Sequence, residues 1–130
     1  MSIRIVRLGG PRARGEGLRI GTVRRPPRGV PKSEFAARDF YDVWLPNLAP
    51  SEGLVKMALR AKDERAWGTF VRRYRGELKR PEVLRVLDVL AALSRTTDFS
   101  VGCYCEDEGR CHRSVLREVL VGLGALVVQL

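Results

Sequence analysis

The sequence has little histidine, cysteine and lysine, and each scarcity narrows the chemistry that the chain can support. It contains one histidine and three cysteines, and only four of its 24 cationic side chains are lysine. A mechanism that needs two histidines is excluded, so the single imidazole would have to act as both base and acid. An odd number of closely spaced cysteines favours reduced thiols over a disulfide framework.

Long apolar runs are also missing. The longest, over 119–130, is about twelve residues and is interrupted by Gly122, Gly124 and Gln129, whereas a membrane span needs ~20 residues. No basic segment followed by an apolar one opens the chain, which argues against secretion. The sequence therefore predicts a cytoplasmic protein that does not bind membranes.

The composition is that of a folded domain. The chain has 130 residues, of which 45% are hydrophobic and 30% are charged. A disordered chain has fewer apolar and more uncompensated charged residues. We therefore expect a single domain over residues 1–130, with its own core.

Positive charge is concentrated in the first quarter of the chain. Residues 1–32 carry nine cations and one acid, Glu16, whereas the remainder is nearly balanced, and the total is +9. Arginine forks bind phosphate oxygens in two-point contacts, so the segregation predicts an anionic partner, nucleic acid or a nucleotide. The candidate phosphate-binding residues of this segment are Arg12, Arg14, Arg24, Arg25 and Arg28. The alternative is an arginine-rich composition that serves only solubility.

The pattern of apolar residues predicts alternating strands and helices. Strands are expected over 3–8 and 18–23, as a hairpin or a pair of strands, and over 97–104 and 125–130. Helices are expected from Ser51 to about Lys62, from Asp63 or Glu64 to about 80, from Pro81 to 93, and over 114–123. Residues 42–48 are expected to be irregular. The prediction is a small, single-domain, Rossmann-like α/β fold, with a mostly parallel sheet of about four strands covered by four or five helices.

Residues 103–113 read Cys-Tyr-Cys-Glu-Asp-Glu-Gly-Arg-Cys-His-Arg and contain every cysteine and the histidine of the chain. They follow a predicted strand and open a predicted helix, where α/β folds bind ligands. The first interpretation is an anion site, in which backbone N–H groups of the helix start act together with Arg110, His112, Arg113 and Ser114. In the alternative, Ser114 only caps the helix and Arg113 pairs with Glu106 or Glu118 at the surface.

Two further interpretations of this segment involve the thiols. Cys111 could be a nucleophile activated by the helix start and His112, although neighbouring helical residues diverge by about 100°. Zinc could be held by Cys103, Cys105, Cys111 and His112, but their spacing differs from the usual paired-ligand forms. The sequence therefore predicts no metal and no other cofactor.

Several segments carry a resemblance to a known family. They are Arg25-Pro26-Pro27-Arg28-Gly29, the stretch from Trp44 to Ser51, the stretch from Phe70 to Leu78, and Cys103 with Cys111-His112-Arg113-Ser114. In these the chain resembles the domain of unknown function 488 (YeaO-like) family. The resemblance implies a small Rossmann-like α/β domain with no established reaction or cofactor. The chain departs from the family at Cys105, where a small or acidic residue is usual.

Two function classes follow. In the preferred one, the basic first quarter and the Cys-His-Arg helix start bind nucleic acid or a nucleotide. In the other, the protein is an enzyme that acts on a small phosphorylated or nucleoside-like substrate, with Cys111 and His112 in the chemistry. The oligomeric state is left open by the sequence.

Overall fold

Four parallel strands and four α-helices make up the fold in the computed structural model, which describes residues 1–128. The strands are β1 (Ile3–Arg7), β2 (Leu18–Gly21), β3 (Val43–Trp44) and β4 (Phe99–Cys103). The helices are α1 (Glu52–Arg60), α2 (Glu64–Leu78), α3 (Pro81–Leu93) and α4 (His112–Gly122). The strand order is β1-β4-β2-β3. The predicted α/β class, the parallel sheet of about four strands and the number of helices are confirmed.

Strand β4 lies between β1 and β2 and pairs with both in parallel. Its first residue, Phe99, stands opposite Ile3 on one side and Leu18 on the other. All five residues of β4 are buried, as expected for a central parallel strand covered on both faces. Of the two alternatives left open for the first two strands, the hairpin is therefore wrong, since each of them pairs with β4. The intervening Gly- and Arg-rich loop returns the chain to the same end of the sheet, and β1 and β2 become neighbours of β4.

Two further segments differ from the prediction. Within the stretch expected to be irregular, β3 forms a two-residue edge strand beside β2, and Pro46 then removes a donor and ends it. Near the end of the chain, the expected strand is reduced to one bridge between Ile3 and Val127. Residues 129 and 130 of that predicted strand lie outside the described residues.

The starts of α2 and α3 follow the capping residues read from the sequence, whereas α4 begins at His112, two residues before its predicted start. Asp63 caps α2 by accepting a hydrogen bond from the Ala66 N–H at 2.8 Å, and Pro81 is the first residue of α3. The aromatic stripe of α2 packs inward, where Phe70 and Tyr74 are completely buried. Within residues 1–128, no helix combines the length and the apolar character needed to cross a membrane.

A buried ion pair anchors the loop between β1 and β2. Arg19 of β2 donates from Nε and Nη2 to the two carboxylate oxygens of Glu16, at 2.8 and 3.0 Å. The hydroxyl of Ser100 and the N–H of Ala13 donate to the same carboxylate, at 2.7 and 3.1 Å. Burial alone would raise the pKa of Glu16, but these hydrogen bonds outweigh it and lower the pKa to about 2. One cation of the basic first quarter is thus part of the core.

Candidate functional site

A cleft opens at the carboxyl ends of β2 and β4, where open parallel sheets bind their ligands. Its volume is about 250 Å³. One wall is apolar, the floor carries thiols and the imidazole, and arginines stand around it. The wall is formed mainly by Val23, Pro50, Val55, Ala58, Leu59 and Phe70, the floor by Cys103, Cys105, Cys111 and His112, and the arginines are Arg24, Arg25 and Arg110.

The floor of the cleft is a cluster of three thiols and one imidazole, which we call the thiol cluster (Cys103, Cys105, Cys111 and His112). The Cys103 thiol donates to the Cys105 sulfur, with 3.7 Å between the two Sγ atoms. The side-chain ligand atoms of Cys103, Cys111 and His112 lie within 4.8 Å of one another. Cys103 and Cys111 are buried, whereas Cys105 is exposed. The cluster is therefore reached from solvent on the side of Cys105.

Two contacts fix the orientation of the His112 ring. Its Nε2 lies 2.7 Å from the Thr22 carbonyl oxygen, and the ring is perpendicular to that of Tyr74, with 5.7 Å between ring centroids. Because a carbonyl oxygen only accepts, Nε2 carries the proton and Nδ1 keeps its lone pair. That Nδ1 lies 4.0 Å from the Cys111 Sγ. Burial lowers the pKa of His112 to about 4, so the ring is neutral at pH 7.

Cys111 reaches the same point as His112 because it precedes the helix. It is the N-cap residue of α4, with φ −129° and ψ 152°, which is extended backbone. The expected divergence of about 100° holds for two helical residues, and Cys111 is not one of them. Adjacent residues at this helix start therefore bring both side chains together.

The three thiols share their protons unequally. Hydrogen bonds from Cys103 and Cys111 lower the pKa of Cys105, and the contact with Cys105 raises that of Cys103. For Cys111, the contact with Cys103 lowers the pKa, but the contact with Cys105 and burial outweigh it and the pKa is raised. A single thiolate in the cluster is therefore held on the most exposed sulfur.

The cationic side chains at the cleft are engaged with acids on helices α1 and α2. Arg25 pairs with Glu52, and Arg110 pairs with Glu64 while its guanidinium stacks 5.8 Å from the centre of the Trp67 ring. Arg25 and Arg110 are exposed, and exposed ion pairs are weak enough for an anionic ligand to displace the acid. Arg24, by contrast, holds two backbone carbonyls, those of Ala49 and Pro50.

The remaining residues of the predicted helix-start cradle face the loop before α4. Arg113 is only 3% exposed and donates to the carbonyls of Cys105 and Glu106. Within residues 1–128 no carboxylate pairs with it, and its Nε has no hydrogen-bond partner. The Ser114 hydroxyl donates to the Cys111 carbonyl at 2.9 Å. Neither side chain lines the cleft.

Other arginines of the predicted basic segment lie away from the cleft. Arg12 pairs with Asp39 and Asp42, and these contacts raise its pKa. Arg14 and Arg28 are exposed and do not line the cleft. The structure thus brings Arg24, Arg25 and Arg110 to one cleft. Acidic side chains from later in the chain neutralise part of the positive charge of residues 1–32.

The apolar wall is the part of the site that the sequence did not indicate. It uses Val55, Ala58 and Leu59, which share one face of α1, together with Phe70 of α2. Leu59 is 81% exposed, so its side chain is accessible to a ligand at the cleft. The spacing of 55, 58 and 59 predicts a common face, but not that this face borders an open cleft.

Comparison with known proteins identifies a family. Residues 3–123 match a family model described as the active DUF488-N3 subclade, DUF488-N3a. Comparison with curated proteins and with solved structures gave no significant match. The matched residues include the whole sheet, all four α-helices and every member of the thiol cluster. On this basis, the chain belongs to the DUF488 family, in its N3a subclade.

Proposed function

We propose that the cleft binds a nucleotide, either free or as one unit of a nucleic acid strand, in the cytoplasm. The phosphate would contact Arg25 and Arg110, and the base or sugar would lie against the apolar wall. The observation that carries this proposal is the combination of an open apolar wall and exposed guanidinium groups in one cleft at the carboxyl ends of parallel strands.

The size and the charge of the cleft support this ligand class. At about 250 Å³ the cleft is smaller than a site for a whole dinucleotide, and it suits one base or sugar. An arginine such as Arg110, already stacked on Trp67, can contact phosphate through its free N–H groups while keeping the ring contact. Flanking phosphates of a longer strand would meet the exposed Arg14 and Arg28.

Fluorescence anisotropy of labelled single-stranded and duplex DNA and RNA, measured across a salt series, tests this proposal. We expect the logarithm of the binding constant to fall linearly with the logarithm of the salt concentration. The double variant Arg25→Ala with Arg110→Ala should weaken binding and reduce the magnitude of this slope by about two, because each lost phosphate contact removes about one unit. Competition by unlabelled mononucleotides separates a nucleotide site from a strand-binding surface.

The matched control is Arg85→Ala. Arg85 lies on α3, outside the cleft, and pairs with Asp88; its side chain is 75% exposed, as is that of Arg25. This variant removes one positive charge, against two in the double variant, and should leave both the affinity and the slope nearly unchanged. An effect of Arg85→Ala half as large as that of the double variant would mean that only overall charge matters. No binding at low salt, to oligonucleotides or to mononucleotides, would contradict the proposal.

A second candidate function is an enzyme acting on a small phosphorylated or nucleoside-like substrate. It is favoured by the 4.0 Å contact between the Cys111 Sγ and the Nδ1 of His112, with the ring oriented by the Thr22 carbonyl. A thiol, a base and a group that orients the base form the usual arrangement of an activated nucleophile. The matched family model is described as active.

The enzyme candidate predicts that Cys111→Ser abolishes turnover. A panel of nucleosides and their phosphates would be incubated with the protein, and products identified by mass spectrometry. The serine variant should lose at least about 100-fold in rate, in line with the loss of a catalytic group, while keeping its melting temperature. Turnover that persists in Cys111→Ser would contradict a role for this thiol.

A further inference from the structure

The geometry of the thiol cluster points to a zinc site. We propose that Cys103, Cys105 and Cys111 bind one zinc ion through their sulfur atoms and that the Nδ1 of His112 is the fourth ligand. Three thiolates and one imidazole form a closed tetrahedral site of the structural kind. The inference does not depend on nucleotide binding in the cleft, and it excludes the second candidate function, because Cys111 and Nδ1 of His112 would be zinc ligands and not a free nucleophile and base.

The separations of the ligand atoms fit one metal ion. Sulfur ligands about 2.3 Å from a tetrahedral zinc lie about 3.8 Å from one another. The Sγ atoms of Cys103 and Cys105 are 3.7 Å apart, and the Cys111 Sγ is 4.0 Å from Nδ1 of His112. Cys103, Cys111 and His112 keep their ligand atoms within 4.8 Å of one another. Cys105 is outside this group of three but already contacts Cys103, and a rotation of its exposed side chain would bring the fourth ligand to the same centre.

The hydrogen bond of His112 is the one expected of a zinc ligand. A metal-bound histidine usually donates its other ring N–H to a carbonyl or a carboxylate, which fixes the tautomer and the ring. Here Nε2 donates to the Thr22 carbonyl at 2.7 Å, and Nδ1, with its lone pair, lies 4.0 Å from the Cys111 sulfur. The ring is thus already in the tautomer that zinc requires.

Arg113 provides an independent observation. Its guanidinium is buried, binds the carbonyls of Cys105 and Glu106, and has no carboxylate partner within residues 1–128. A buried cation without a counter-charge is costly. Zinc with three thiolates and a neutral imidazole carries one net negative charge, close to the loop that Arg113 holds. The proposed centre therefore supplies a negative charge near this guanidinium that does not depend on which free thiol of the cluster is ionised.

Binding is an exchange of protons for metal. Each thiol that enters the site releases its proton to the solvent as its sulfur bonds to zinc, and the neutral imidazole loses none. No oxidation or reduction occurs. The site requires reduced thiols, because a disulfide between Cys103 and Cys105 would remove two of the four ligands.

The experiment uses the full-length protein, purified with a reductant and without a chelator. Elemental analysis should find one zinc per chain, and a colorimetric chelator should extract it only at excess. Replacement of zinc by Co²⁺ should give the visible bands of a tetrahedral ion together with thiolate-to-cobalt charge transfer. The affinity for Zn²⁺ is then measured by competition with a chelator of known affinity.

Cys105→Ser is the decisive variant, because Cys105 is exposed and its replacement should not disturb the core. We expect it to weaken zinc binding by at least about 10-fold and to lower the cobalt charge-transfer intensity, since even outer-shell losses cost about that much. Cys111→Ser should weaken binding further. Arg85→Ala, on α3 and outside the cluster, should bind zinc as the parent does.

Three results would overturn the proposal. The first is a parent protein that neither contains zinc when purified nor binds it when equimolar Zn²⁺ is added under reductant. The second is a Cys105→Ser variant whose zinc affinity and cobalt spectrum equal those of the parent. The third is a cobalt spectrum without thiolate charge transfer, which would place the metal elsewhere.

Discussion

Replacing Glu16 by glutamine should lower the free energy of unfolding by about 3 kcal/mol, because it leaves the buried guanidinium of Arg19 without its counter-charge. Arg19 would keep its bonds to the carbonyls of Gly10 and Asp39, at 2.9 and 2.7 Å, but carbonyls do not neutralise a charge. The carboxylate also fixes the loop through the N–H of Ala13. Chemical denaturation at pH 7 measures the loss.

The same carboxylate predicts a pH dependence whose sign follows from its low pKa. Glu16 titrates at about 2 in the folded protein and near 4.5 when unfolded. Its contribution is therefore complete above pH ~4.5, and it is lost as the pH falls through that window toward 2, because the unfolded chain binds the proton first. In Glu16→Gln the free energy of unfolding should therefore fall less steeply than in the parent protein as the pH is lowered over this range. The remaining slope includes Asp42, whose pKa is also lowered in the folded protein.

A matched control separates this buried pair from ordinary surface pairs. Glu118→Gln removes a carboxylate that pairs with Arg75 but is 66% exposed. Because exposed pairs contribute at most about 1 kcal/mol, this variant should change the stability little. If Glu16→Gln cost no more than Glu118→Gln, the buried pair would not stabilise the fold as described.

Replacing Gly17 by alanine should destabilise the protein by about 3 kcal/mol, because the added methyl group has no space. Gly17 has a φ of +78°, and a Cβ there would lie 2.0 Å from the carbonyl oxygen of Asp98. That oxygen is backbone just before β4, so it cannot move without shifting the central strand. Thermal and chemical denaturation would both report the change.

Gly15→Ala is the control for the glycine prediction. Gly15 lies in the same loop with a φ of +75°, but nothing lies within 4 Å of an added Cβ. Gly15→Ala should lower the free energy of unfolding only by the conformational cost of a positive φ, about 1 kcal/mol. The difference between the two variants measures the clash with Asp98. Equal effects would show that the loop tolerates the methyl group and that the close approach is not a constraint.

The fold could be read largely from the sequence because its determinants are local. Asp63 and Pro81 mark the starts of α2 and α3, and the apolar residues of 99–103 give a central strand. Strand order is not local, and the loop over residues 9–17 is equally compatible with a hairpin. What decides against the hairpin is the pairing of β1 and β2 with β4, which lies about eighty residues later in the chain.

The candidate site was only partly predictable for the same reason. The stretch from Cys103 to His112 contains all the groups of the thiol cluster, so the sequence could nominate them. The basic quarter was harder to interpret, since Asp39, Asp42 and Glu52 come from later segments and pair with Arg12 and Arg25 in three dimensions. A count of charges along the sequence does not show which cations and acids pair in the folded protein. The wall formed by α1 likewise depends on where the helix packs.

The strand order also affects how the protein is made. During synthesis β1, β2 and β3 leave the ribosome well before β4, yet β1 has no neighbour in the sheet other than β4 among the named strands. The nascent chain must therefore keep β1 unpaired until residues 99–103 have emerged. Pairing over such a sequence distance is slow and leaves strand edges exposed. The emergence of a single late segment thus joins the two halves of the sheet and completes the floor of the cleft in one step.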